Sequence, residues 1–236
     1  MNTGCGPTGN ASILMPHLFH DQDHNTHAVQ FYEEDSFLLD SLTKLIGTTL
    51  MAGDVALVVA TPAHRQGLAD RLKALGLDLE VSAHLGRFCA FDAAETLSGF
   101  MVNGVLNAPL FHSFVKYILS SIRPAVEGKP TRVVVFGEMV ALLWADGNID
   151  AALKLEQLWS DLVRSHSFHL YCAYPMKAFD QEGHSQAFLN ICTEHTHIIP
   201  AENYTALASE SDRLRHISLL QQRALTAETE SAGATK

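Results

Sequence analysis

Apolar residues along the chain form short continuous runs that alternate with longer stretches of helical spacing. The clearest runs are Val55–Ala60 and Arg132–Phe136, which are rich in valine and too short for a helix. Runs of this kind are typical of strands buried on both faces of a parallel sheet. The same criteria predict further strands at Ala28–Phe31, Arg87–Phe91, Phe168–Tyr174 and His195–Ile199.

Helical periodicity separates these strands. The first such segment, Phe37–Leu50, places Leu38, Leu42, Leu45 and Ile46 on one face. Further helices are predicted over Ala63–Leu75, from Ala93, and over Leu110–Val126, Met139–Trp144, Ile149–Ser165 and His184–Thr193. Strands that alternate with helices indicate βαβ units. We therefore expect an α/β fold with a mostly parallel sheet flanked by helices on both faces.

The two ends of the chain differ from its middle. Residues 1–26 are rich in Gly, Asn, Thr and His without periodicity, which favours a flexible leader over a histidine metal site. Residues 27–204 form one predicted domain, and residues 205–236 a polar helical tail. In the tail, Leu207, Leu214 and Ile217 follow a spacing like that of coiled-coil core positions. Such a helix needs a surface to pack on, so we expect it to homodimerise or to dock on its own domain.

Composition and charge argue against several classes of protein. The formal net charge is −10 and no basic run occurs, which argues against nucleic-acid binding. The longest apolar runs are too short to cross a bilayer, and the N-terminus lacks the pattern of a secretory signal. The four cysteines include no Cys-x-x-Cys pair, which suits a reducing compartment. We expect a cytoplasmic protein.

Ligands of open parallel sheets bind beyond the carboxyl ends of the strands. The turn after the first strand, Tyr32–Asp35, carries three consecutive carboxylates and no lysine. A phosphate-binding loop needs glycine-rich backbone amides and a lysine, and this chain has no such motif. Nucleophile-elbow, metalloprotease and dinucleotide motifs are also missing from the sequence. A conventional NTPase is therefore not expected.

Three sets of residues leave alternatives open. Glu138 follows a buried strand, so its carboxylate either faces the ligand crevice or stabilises the N-terminus of the next helix. Cys192, His195 and His197, with Cys172 on another strand, have the ligand types of a zinc site. Their spacing matches no common zinc motif, so we expect no metal ion. Trp144 and Trp159 are interpreted as core residues between helix and sheet, or as walls of an apolar pocket.

Several segments resemble the MEDS family, the sensory domain first described in a regulator of dichloromethane utilisation. The matching residues are His27–Tyr32, Gly86–Phe88 with Asp92 and Ala93, Phe136–Trp144, Leu155–Trp159, Cys172–Pro175, and Cys192 with His195. The resemblance implies a three-layer RecA/KaiC-like sandwich that has lost the phosphate-binding loop. It also implies a ligand-sensing module, with simple hydrocarbon derivatives as proposed ligands. Kinases, DNA-binding domains and regulators are the usual outputs of that family.

These observations together predict a non-catalytic small-molecule sensor in bacterial or archaeal signal transduction or transcriptional regulation. The expected crevice residues are His27, Tyr32, Glu138, Trp144, Tyr174 and His195. No kinase or helix-turn-helix pattern follows residue 204, so the output is expected through a partner protein, unless the chain is part of a longer one. Two alternatives remain: a residual nucleotide-binding protein or ATPase, and a protein-interaction scaffold. No particular cofactor or ligand is indicated.

Overall fold

A computed structural model describes residues 26–126, 131–179 and 185–202. Within them, six strands form one sheet: β1 (His27–Tyr32), β2 (Val55–Ala60), β3 (Phe88–Asp92), β6 (Val133–Gly137), β7 (His169–Pro175) and β8 (His197–Ile199). Their order in the sheet is β3-β2-β6-β7-β1-β8, and every neighbouring pair is parallel. A separate antiparallel hairpin consists of β4 (Met101–Val102) and β5 (Val105–Leu106). The expected α/β class and parallel sheet are confirmed.

Helices cover both faces of the sheet. They are α1 (Asp35–Met51), α2 (Pro62–Ala74), α3 (Leu79–His84), α4 (Ala93–Ser98), α5 (Ala108–Val126), α6 (Met139–Ala145), α7 (Ile149–Ser165) and α8 (Ser185–Glu194), with a 3₁₀ helix at Met176–Phe179. Apolar side chains of α1 and α2 form one core cluster with the sheet, and those of α4 to α8 form the other. The molecule is therefore a three-layer sandwich.

Strand alternation sorts the side chains between these two cores. In β1, Val29 and Phe31 belong to the core beneath α7 and α8, whereas Ala28 and Tyr32 belong to the core beneath α1. All six residues of Val55–Ala60 are buried, as expected for a strand covered on both faces. The apolar runs in the sequence thus correspond to strands in the middle of the sheet.

Three local predictions differ from the structure. The last strand begins at His197, and His195 lies in the turn after α8 instead of within the strand. Helix α3 and the β4–β5 hairpin were not predicted. The hairpin turn places Asn103 and Gly104 at φ values of 51° and 77°, which these two residue types tolerate best. Residues 1–25 of the predicted leader and the whole predicted tail, residues 205–236, lie outside the described residues.

Strand order determines where a ligand crevice is expected in this sheet. Strands β6 and β7 lie between β1 and β2, so these two consecutive strands of the chain are not neighbours in the sheet. The helix after β1 packs on one face, and the helices after β6 and β7 pack on the other. Neighbouring strands whose connections leave in opposite directions open a crevice at their carboxyl ends.

Within the described residues, no helix combines the length and apolarity needed to cross a membrane.

Candidate functional site

A charged cluster joins β1, α2 and β6 at the carboxyl ends of the strands. The Glu138 carboxylate accepts a hydrogen bond from the backbone N–H of Thr61 and lies 2.6 Å from Nδ1 of His64. The other ring nitrogen of His64 lies 3.4 Å from the Asp35 carboxylate. Both Glu138 and His64 are buried, whereas the Asp35 side chain is 69% exposed. We call these residues and Tyr32, whose ring centroid lies 6.3 Å from that of His64, the His64–Glu138 cluster.

The two carboxylates perturb the neighbouring titratable groups. The hydrogen bond with Glu138 raises the pKa of His64, because it favours the charged imidazolium more than burial disfavours it. Burial raises the pKa of Tyr32, and the charges of Glu138 and Asp35 raise it further. In this cluster the protonated forms of the His64 imidazole and of the Tyr32 hydroxyl are therefore both favoured.

The turn after β1 already holds a carboxylate from the same chain. The backbone N–H groups of Glu33 and Glu34 donate to the two carboxylate oxygens of Glu202, over 2.9 and 2.7 Å. Backbone amides that begin a helix are the groups that bind phosphate in many nucleotide sites. Here Glu202 satisfies them, and the side chains of Glu33, Glu34 and Asp35 surround them with further negative charge.

An aromatic cluster lies at the carboxyl ends of β1 and β7, on the face covered by α6 to α8. It consists of Phe31, Trp144, Tyr174, Phe179 and Phe188, with neighbouring ring centroids 4.7 to 6.3 Å apart. Phe31, Trp144 and Tyr174 are buried, whereas Phe179 and Phe188 are only partly buried. The indole N–H of Trp144 donates to a backbone carbonyl 2.6 Å away. This cluster is apolar inside and reaches the surface through two phenylalanines.

Beneath the aromatic cluster lies a fully buried polar group formed by His27, Glu156, Cys172 and His195. One ligand-type atom from each residue lies within 4.8 Å of all the others. Burial lowers the pKa of His195 to about 4, although the Glu156 charge opposes this shift. Burial raises the pKa of Cys172 well above its ordinary value, and the charge of Glu156 adds to the effect. We call these four residues the buried quartet.

The structure divides the six predicted crevice residues among three groups. Tyr32 and Glu138 belong to the His64–Glu138 cluster. Trp144 and Tyr174 belong to the aromatic cluster, and the remaining two, His27 and His195, belong to the buried quartet. All six side chains are buried, so none of them forms an open wall.

The structure also decides between the alternatives for Glu138 and for the tryptophans. The Glu138 side chain makes no capping bond to its own helix; it turns instead toward β2 and α2. Trp144 and Trp159 are both core residues, at 3% and 4% exposure. Within the described residues, the group with ligand spacing does not include Cys192 or His197.

Among the buried titratable residues of these groups, sequence reasoning missed His64 and Glu156. Glu156 has a recognisable signal, because it interrupts the apolar stripe of α7 formed by Ala152, Trp159 and Val163. An acidic residue at such a position must be buried, and it is 0% exposed. His64 has no comparable signal, because it stands in the first turn of a helix of mainly polar composition.

Comparisons with known proteins agree with this architecture. The KaiC-like protein PH0186 from the archaeon Pyrococcus horikoshii OT3 has a similar structure, with a TM-score of 0.50 and 10% identity over 75% of this chain and 72% of that one. At that identity the likeness shows the fold alone, and it confirms the expected KaiC-like sandwich. PH0250 from the same organism gives a TM-score of 0.47 and 12% identity, over 78% and 84% of the two chains.

No curated protein sequence matches the chain. A family model does match, over residues 26–190, and it describes the methanogen/methylotroph, DcmR sensory domain. The match covers well over half of the chain and includes every strand of the sheet except β8. The chain therefore belongs to the MEDS family of sensory domains.

Proposed function

We propose that this sensory domain binds a small, uncharged organic molecule at the aromatic cluster and reports it to a protein partner without catalysing a reaction. The observation that carries the proposal is the aromatic cluster itself, which lies at the carboxyl ends of β1 and β7. Apolar sites with a few polar groups at this position of a parallel sheet are typical small-molecule sites.

The charge distribution argues against an anionic ligand. The amides of Glu33 and Glu34 are occupied by the Glu202 carboxylate, and Asp35 and Glu138 lie close by. A phosphate group would have to displace one carboxylate and approach several others, which Coulomb repulsion opposes. This arrangement supports a site that has lost nucleotide binding.

The packing of the rings suggests how a ligand would enter. Phe179 and Phe188 lie at the surface edge of the cluster, with centroids 5.0 Å apart, and both contact Phe31 below. A ligand would separate these two rings and stack against Trp144 and Tyr174. The best small ligands gain about 1.5 kcal/mol per heavy atom, so a molecule of about four heavy atoms would bind with a dissociation constant of tens of micromolar at best.

Ligand binding is tested on the full-length protein with two measurements. Mass spectrometry of extracts from natively purified protein searches for a retained organic molecule. Tryptophan fluorescence then follows titration with small halogenated and oxygenated hydrocarbons up to millimolar concentration. We expect a saturable change that is lost in Phe179→Ala and retained in the control Tyr117→Ala, since Tyr117 is 62% exposed and lies on α5. A response that is identical in both variants would place the ligand elsewhere.

The ATPase alternative is tested by calorimetry with Mg-ATP and by a phosphate-release assay. We expect neither binding nor turnover. Turnover that disappears in Glu138→Gln would contradict the proposal, because it would make Glu138 part of a working nucleotide site.

The output is proposed to be a kinase or another regulatory protein, with residues 205–236 as the segment that transmits the signal. Light scattering on the full chain and on a truncation after residue 204 tests this assignment. If the chain is a dimer and the truncation remains one, the tail does not form the dimer contact.

A further inference from the structure

We propose that the buried quartet, His27, Glu156, Cys172 and His195, is a four-ligand site for a divalent metal ion of the zinc class. The residues come from β1, α7, β7 and the turn after α8, so an ion would join four separate elements. This site shares no residue with the aromatic cluster, although Tyr174 of that cluster contacts Glu156, and its existence does not depend on the proposed ligand.

The distances match tetrahedral coordination. Oε2 of Glu156 lies 3.4 Å from Nε2 of His27, 3.5 Å from Nε2 of His195 and 3.6 Å from Sγ of Cys172. The Cys172 sulfur lies 3.5 Å from Nε2 of His27. Zinc–ligand bonds of about 2.0 to 2.3 Å in a tetrahedron place the ligand atoms about 3.3 to 3.8 Å apart. Four of the six ligand pairs fall within this interval, and the other two lie within 4.8 Å.

Hydrogen bonds outside the quartet fix the histidine tautomers. Nδ1 of His195 lies 2.6 Å from the backbone carbonyl of Ile191, which can only accept, so Nδ1 carries the proton. Ser160 donates its hydroxyl proton to the carbonyl of Glu194 and therefore accepts from Nδ1 of His27, 3.1 Å away. When the two rings are neutral, these hydrogen bonds leave each Nε2 with a lone pair directed into the quartet.

The centre of the buried quartet therefore contains mainly hydrogen-bond acceptors. Nε2 of His195 is completely buried and has no hydrogen-bond partner among the described residues, and the charged group that it faces is the Glu156 carboxylate, also an acceptor. Two imidazole lone pairs and a carboxylate oxygen thus converge, and the Cys172 thiol has one proton to share among them. Buried acceptors without donors are costly. A cation at the centre would satisfy all of them at once.

Charge and ligand chemistry select the kind of ion. A thiolate, a carboxylate and two neutral imidazoles carry a total charge of −2, which a divalent cation neutralises in a site that water does not reach. Sulfur and nitrogen ligands favour zinc over magnesium or calcium, which prefer oxygen. The Glu156 carboxylate is in turn oriented by the Tyr174 hydroxyl, 2.7 Å from its second oxygen. Each of the three non-sulfur ligands thus has a hydrogen-bond partner outside the quartet, as in natural zinc sites.

The first test uses the untagged full-length protein, purified without chelators and analysed by elemental mass spectrometry. We expect one zinc ion per chain. Metal-stripped protein titrated with Co²⁺ should develop a thiolate-to-cobalt charge-transfer band and the visible absorption of tetrahedral cobalt. Protein that contains no metal as purified and gives neither band with Co²⁺ would overturn the proposal.

Variants locate the ion. Cys172→Ser should abolish the charge-transfer band, and Glu156→Gln, which preserves shape, should lower metal affinity while circular dichroism remains native. Ser160→Ala should weaken binding by about 10- to 100-fold through loss of the outer hydrogen bond to His27. Cys192→Ser is the matched control, because this nearby cysteine lies outside the quartet. A band that survives Cys172→Ser but disappears in Cys192→Ser would also overturn the assignment.

Discussion

Replacing Glu138 with glutamine tests the charged cluster at the carboxyl ends of the strands. The substitution keeps the size of the side chain and leaves a carbonyl oxygen for the Thr61 N–H. It removes the negative charge that faces Nδ1 of His64 across 2.6 Å. The variant therefore isolates the charge-assisted contact between two buried side chains.

The expected cost follows from that contact. Hydrogen bonds to charged groups contribute about 1.5 to 3 kcal/mol, and both side chains are more than nine-tenths buried, so solvent screens little of the interaction. We expect Glu138→Gln to lower the free energy of unfolding by about 2 kcal/mol near pH 6. The matched control is Asp35→Asn, which removes the longer contact to an exposed carboxylate and should cost about 0.5 kcal/mol or less.

The cost should also depend on pH with a definite sign. The pKa of His64 is raised in the folded protein by the hydrogen bond with Glu138. The folded state then binds the proton more tightly than the unfolded chain does. This stabilisation is fully present below the ordinary histidine pKa of about 6.5 and is lost as pH rises through the raised value. The destabilisation by Glu138→Gln should therefore shrink toward alkaline pH.

Urea denaturation of both variants and of the parent protein between pH 5.5 and pH 9 measures these differences. Titration of the His64 ring signals by NMR gives its pKa directly, and Glu138→Gln should lower it. A cost that is equal at both ends of the pH range, or a His64 pKa unchanged by the substitution, would refute the reasoning.

Three further substitutions test the packing by urea denaturation. Phe136→Ala removes a fully buried ring from the core beneath α1 and should cost about 3 to 5 kcal/mol; a cost below about 1 kcal/mol would mean that the ring is not packed as described. Trp144→Phe loses the indole donor to the Ala178 carbonyl and should cost about 1 kcal/mol. Arg132→Ala breaks a partly exposed ion pair with Asp54 and should cost no more than about 1 kcal/mol, so a larger effect would contradict a surface role.

The fold class was predictable because local patterns carry it. A run such as Val55–Ala60 can bury all of its apolar side chains only as a strand covered on both faces. The helical periodicity between such runs predicts the helices that connect parallel strands. The acidic turn at Glu33 and Glu34 likewise argued against a phosphate-binding loop from its residue types alone. The Glu202 carboxylate that occupies its amides was not predictable, because that contact joins residues 169 and 168 positions apart.

The sequence indicated the individual candidate residues but not which of them lie together in the structure. His27, Tyr174 and His195 were expected in the same crevice as Tyr32 and Glu138, but the sheet separates them. Residues that alternate along a strand point to opposite faces, so His27 and Tyr32 in β1 lie on different sides. This alternation is contained in the sequence, whereas the helix that covers each face is not.

Interactions between residues close in the chain decide where each strand and helix lies and which of its side chains share a face. The pattern of apolar and polar residues therefore determined most of these elements, whereas the short helix α3 and the β4–β5 hairpin carry too little of a pattern to be predicted. The meeting of His27 with Cys172, which are 145 positions apart, depends on strand order and on closing long connections. Glu156 reaches the same point only because α7 packs with that face toward β7. Such contacts result from the packing of the whole domain, so only the tertiary structure could bring the four residues of the quartet together.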